Sequence, residues 1–101
     1  MTTLGEELQN TIRNLETIRD AQNPPSNDVL EKLDILYGQQ IDLIDAAINM
    51  NTEEYKTATT AMQTAAKQTK DAINDLTKLE AAIGKVADVI GKVTELLTKV
   101  A

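Results

Sequence analysis

A chain of 101 residues supports a single domain, and sixteen acids against ten bases leave it with a net charge of −6. It contains no Cys, His, Trp or Phe and only two tyrosines, Tyr37 and Tyr55, which excludes disulfides, thiolate or imidazole metal sites and His-assisted nucleophilic catalysis. The apolar content is Ala, Leu, Ile and Val with three Met, an inventory that suits helix packed on helix.

Taken in chain order, the first predicted element is a helix over about 3–21. Leu4, Leu8, Ile12, Leu15 and Ile18 recur every three or four residues and form one apolar face. It stops at Asn23-Pro24-Pro25-Ser26-Asn27, because each proline pushes the residue before it out of helical conformation and neither has an N–H to donate. These five residues are similar to the Pro-Ser-Asn type turn of type III secretion needle subunits. The likeness ends there and leaves everything after Met50 unaccounted for.

The second predicted helix spans about 27–49. Ser26 or Asn27 is expected to cap it, with Asp28 favourably placed at the positive end of the helix dipole. Its expected apolar stripe is Leu30, Leu33, Leu36/Tyr37, Ile41, Ile44 and Ala47/Ile48. A tight turn is expected at residues 49–52, with Asn51 or Thr52 as the next N-cap.

The third element reads as one helix over about 52–100, roughly 75 Å long at ~1.5 Å per residue. Placing Tyr55 at heptad position a gives Met62, Thr69, Leu76, Ile83, Ile90 and Leu97 at a. Ala58, Ala65, Ala72, Leu79, Val86, Val93 and Val100 then fall at d. The seam is small up to Ala72 and bulky beyond it, where Ala82, Val89 and Leu96 at g widen the face. Lys78, Lys85, Lys92 and Lys99 sit outside it at c.

The predicted fold is therefore all-α, a single domain over 1–101. It reads as a long antiparallel helical hairpin or coiled-coil bundle, with the N-terminal arm broken at Pro24-Pro25. The favoured arrangement extends the first helix along the second, so that it covers residues 80–98. The alternative folds it back and leaves 76–100 projecting.

The chemistry expected of this chain is sparse. No catalytic, cofactor or metal site is predicted, since the sole Ser lies in a loop and carboxylates such as Asp42 and Asp45 read as a solvated helix face. Residues 1–50 hold nine acids and three bases and residues 51–101 seven of each, so no surface has the Lys and Arg excess that nucleic acid requires. Gly84 and Gly91 are open to three readings: close helix approach, membrane-surface binding, or tolerated glycine in a repeat.

The expected function is a non-enzymatic helical assembly protein. It would form a homo-oligomer, most simply a dimer, or bind a helical protein partner. The expected interface is Leu76, Leu79, Ile83, Val86, Val89, Ile90, Val93, Leu96, Leu97 and Val100. The alternative is an exported, secretion-linked or membrane-surface-active helical protein. The N-terminus has neither the basic start nor the apolar core of a signal peptide, which predicts a cytoplasmic protein or one exported without a cleaved signal.

Overall fold

Thr3 begins the first helix as its sequence requires. Its hydroxyl accepts the Glu6 N–H at 3.1 Å, and the Glu6 carboxylate accepts the Thr3 N–H at 3.4 Å, closing a capping box. The computed structural model describes residues 3–45 and 51–100, without the side chains of residues 45 and 100. Ala47, Ile48 and the first half of the turn expected at 49–52 lie outside these residues. Among them are four α-helices: α1 (Leu4–Ala21), α2 (Asn27–Asp45), α3 (Glu53–Asn74) and α4 (Leu79–Val100). A 3-10 turn, Leu76–Lys78, joins the last two.

The expected caps are in place. Ser26 caps α2, its Oγ accepting the Val29 N–H at 3.2 Å, and Thr52 caps α3 by accepting the Tyr55 N–H at 3.3 Å. All five expected apolar residues of α1 are buried. On α3 the a/d register also holds: Ala58, Met62, Ala65, Thr69 and Ala72 are interior, joined by Ala66.

The continuous helix over 52–100 is a misreading that the structure corrects. At Asp75 the backbone leaves the helix for an extended conformation. The Asp75 carboxylate accepts the Thr77 N–H at 3.1 Å and the Thr77 hydroxyl at 2.6 Å. A short acidic side chain thereby offers the backbone a local alternative to the helical ladder, and the next helix starts from it. The Thr77 bonds also hold the Asp75 carboxyl below its usual range.

The break replaces both expected arrangements. Hydrogen bonds fix the helix directions among the described residues. Leu4 N–H donates to the Tyr55 hydroxyl, Thr11 Oγ1 meets Met62 Sδ and Asn14 Nδ2 donates to the Ala66 carbonyl, so α1 and α3 run parallel. The Gln9–Gln40 and Glu16–Tyr37 pairs make α1 and α2 antiparallel. Glu54 beside Lys99 does the same for α3 and α4. The helices touch in a ring, α1–α2–α4–α3, with α1/α4 and α2/α3 on the diagonals. This is a four-helix bundle of two antiparallel hairpins, 40 × 22 × 18 Å, in place of a rod of roughly 75 Å.

Burial differs from expectation on two helices. The core face of α2 is Val29, Leu33 and Leu36 with Leu43 packed beside them, whereas Leu30, Ile41 and Ile44 face outward. On α4 the interior is Ala82, Val86, Val89, Val93 and Leu96, positions d and g. The g residues, which neither expected arrangement would bury within one chain, are thus core. Once the chain reverses at Asp75, α4 meets α2 and α3 from a new direction, and the face that fits is rotated from a/d.

Each parallel helix pair is pinned by the same polar device. Asn14 on α1 donates to the Ala66 carbonyl at 2.9 Å and to Thr69 Oγ1 at 3.2 Å, while Thr69 itself donates back to Ala65 and Ala66. Gln39 on α2 donates to the Ile90 carbonyl and Thr94 Oγ1, both at 3.1 Å, and Thr94 donates to that same carbonyl. In both cases an amide reaches a carbonyl one turn below a back-bonded threonine. Such side chains fix the height of one helix against its neighbour, which methyl-on-methyl contact at an alanine face does weakly. Asn14→Ala is expected to lower stability by about 1–2 kcal/mol, measured by urea unfolding at unchanged helicity. An unchanged midpoint would show that the amide contributes nothing to register.

Candidate interaction surface

The residues expected to form an interface divide by burial. Val86, Val89, Val93 and Leu96 are sealed inside the bundle, and Leu79, Ile83, Ile90 and Leu97 pack half-buried against that core. Leu76, in the 3-10 turn, is 49% exposed, and the Val100 side chain lies outside the described residues. The seam is occupied by α2 and α3 of the same chain. Among the described residues only its outer edge faces away from the bundle.

The larger exposed apolar surface belongs to α2. Leu30 is 42%, Ile41 62% and Ile44 78% exposed. At about 100° per residue these three lie within roughly 60° of one another around the helix, with Tyr37 between them. Ile35 is also exposed, but on the opposite flank. The stripe follows i, i+7, i+11, i+14 spacing, the pattern by which one helix engages another.

Tyr37 locates the stripe relative to α1. Its hydroxyl donates to Glu16 Oε2 at 2.6 Å, so this side of α2 adjoins α1 and the stripe occupies the shoulder between the two helices. That hydrogen bond, with partial burial, pushes the Tyr37 phenol above its ordinary pKa. Arg19 is held by Asp20 at 3.1 Å. Arg13 turns to the other side of α1, where it lines an open groove with Asn10, Gln63, Lys67 and Lys70.

The outward face of α2 beside the stripe is acidic. Asp34 lies next to Leu30 and Ile41, with Glu31 and Asp42 further round. Asp28, Asp34 and Asp42 have no ion pair among the described residues, and the single Lys of this helix, Lys32, contacts Glu31 at 3.2 Å. The seven remaining lysines lie on α3, on α4 and, as Lys78, in the turn between them.

No family model, curated protein or solved structure matches the chain. Among the described residues, no three carboxylates converge on a point that would hold a metal ion, and no helix is long and apolar enough to cross a membrane. Beyond Gly84 and Gly91 there is open space where a Cβ would point, so neither glycine serves a close approach within the chain. Lys99 and Glu54 form a 2.7 Å pair at the surface that raises the lysine and lowers the carboxyl. The pair is about half exposed and closes one end of the α3/α4 hairpin.

Sequence reading missed this surface because it assigned Leu30, Ile41 and Ile44 to the core. A signal existed. Helix α2 carries more large apolar residues than one face holds: Val29, Leu33, Leu36 and Leu43 make one stripe, Leu30, Tyr37, Ile41 and Ile44 a second.

Proposed function

We propose that this chain is a non-enzymatic interaction module, a four-helix scaffold that presents the α1/α2 shoulder to a partner protein. The observation that carries this reading is the exposure of Ile41 and Ile44, the two most exposed large aliphatic side chains among the described residues. Two neighbouring isoleucines standing in water on an ordered helix mark a contact surface more readily than scattered exposure does. The expected homo-oligomer through the seam loses support, because the seam is spent on the bundle's own core. Anionic membrane is also disfavoured, since Asp34, Glu31 and Asp42 border the stripe.

Site-specific photo-cross-linking tests the proposal. A benzophenone side chain at Ile44 is expected to capture a distinct protein in the native cells, whereas the same group at Lys85, on the outer face of α4, is not. Equal capture from both positions, or none from Ile44, would count against the α2 surface.

A further inference from the structure

We infer that the occupant of the α1/α2 shoulder is an amphipathic helix of another protein, carrying Lys or Arg along the side of its apolar stripe that meets Asp34, Glu31 and Asp42. This deepens the reading of α2 as the contact surface and rests on it. Leu30, Tyr37, Ile41 and Ile44 form a stripe about 21 Å long at ~1.5 Å per residue, the length of a helix of about four turns. Its spacing accepts a helix laid alongside, with apolar residues entering between these four side chains.

Charge then selects the partner. Along one edge run Asp34, Glu31 and Asp42 of α2, and along the other stands Glu16 of α1. Lys32 and Arg19 are each engaged by an adjacent acid, and Arg13 faces the α1/α3 groove. The apolar track therefore has a row of carboxylates along its α2 edge and one carboxylate, Glu16, already bonded to Tyr37, on the α1 side. A basic helix meets opposite charge along the α2 edge, which raises its association rate and fixes its position on the track.

A second copy of this chain fits poorly. Two α2 faces brought together would oppose acid to acid. A stripe of roughly 21 by 10 Å is also well below the ~800 Å² per partner of a stable interface between globular subunits.

Fluorescence anisotropy on the full chain is the test. The probes are two synthetic helical peptides of about 18 residues with Leu at a and d, one with Lys and its twin with Glu at e and g. The basic probe is expected to bind at least about tenfold more tightly than the acidic twin, and to weaken about tenfold between ~50 and ~500 mM NaCl. Ile41→Gln/Ile44→Gln, which keeps every acid, is expected to abolish binding. Asp34→Lys/Asp42→Lys is expected to reverse the preference.

Equal binding of both twins, lost in Ile41→Gln/Ile44→Gln, would overturn the charge inference while leaving the α2 surface standing. Binding of the basic probe that survives Ile41→Gln/Ile44→Gln would be diffuse attraction to an acidic protein, and would overturn both. So would the failure of both probes to bind. Light scattering that finds a dimer of the parent chain dissolved by Ile41→Gln/Ile44→Gln would make a second copy the occupant and overturn the inference. Sedimentation with neutral or anionic lipid vesicles, lost in the same variant, would overturn it in favour of a membrane.

Discussion

Val93→Asp is expected to unfold this protein, whereas Ile41→Gln, on the outer face of α2, is expected to leave its stability within about 0.5 kcal/mol. Val93 is fully buried, at a position where α4 faces the interior of the bundle, and no Lys or Arg is among the core residues to pair with a new carboxylate. The variant must either bury an uncompensated charge or hold its carboxyl protonated, and in both cases a polar group sits among Val86, Val89 and Leu96. Leaving a charge buried and unpaired costs on the order of 3–5 kcal/mol, a large share of the ~5–15 kcal/mol that stabilises an ordinary domain.

Ile41 is already mostly in water, and Gln is a good helix former, so its replacement removes little on folding. Circular dichroism and light scattering on the two variants distinguish a core from an interface. If Val93 belonged to an assembly seam, Val93→Asp would yield a folded monomer with its helicity intact. Retention of the parent's melting temperature would show that the α4 seam is not the core of this bundle.

How far the fold was legible depends on which residues decide it. On α1, five large apolar side chains at helical spacing with polar residues elsewhere admit one inward face, and the structure uses it. Pro24-Pro25 and Ser26 mark a helix boundary by steric and capping effects that need no neighbour, so that boundary was legible too. The boundary at Asp75 was not. The heptad beat passes through it unbroken, because Leu76 happens to fill an a position although it stands half in solvent. The local signal was Asn74-Asp75 with Thr77 two residues on, a sequence that turns as readily as it continues a helix.

The candidate surface was hidden for a different reason. Helix α2 carries two apolar stripes, and periodicity ranks neither above the other. The choice is made by tertiary neighbours: α1 through the Gln9–Gln40 pair and α4 through Gln39 together settle which side turns inward. Without the reversal at Asp75 there is no α4 to receive Gln39, so missing one turn also misplaced Ile41 and Ile44. The acids around them were visible in the sequence, but as a net charge without a location.

Leu15→Ala is expected to lower the unfolding free energy by about 3–5 kcal/mol, seen in urea as a lower midpoint at an unchanged slope. Leu15 is fully buried, and Asn14 fixes its height at Ala66 of the parallel helix α3. Truncation removes the transfer free energy of the lost side-chain carbons and leaves a void. Whether the void closes depends on what faces it. The interior side of α3 near this height is Ala65, Ala66, Thr69 and Ala72, side chains too short to extend into the space. Closure would require α1 and α3 to approach, and the Asn14 bonds to the Ala66 carbonyl and Thr69 already hold them at hydrogen-bonding distance. The cavity should persist, which places the cost in the upper part of that range. Ile83→Ala, at a residue that only flanks the same core, is expected to cost clearly less, since solvent and mobile neighbours fill the space it leaves. Equal midpoints for the two variants, or a loss below about 1 kcal/mol for Leu15→Ala, would show that the large side chains of α1 are not set against the alanine face of α3 as the structure has them.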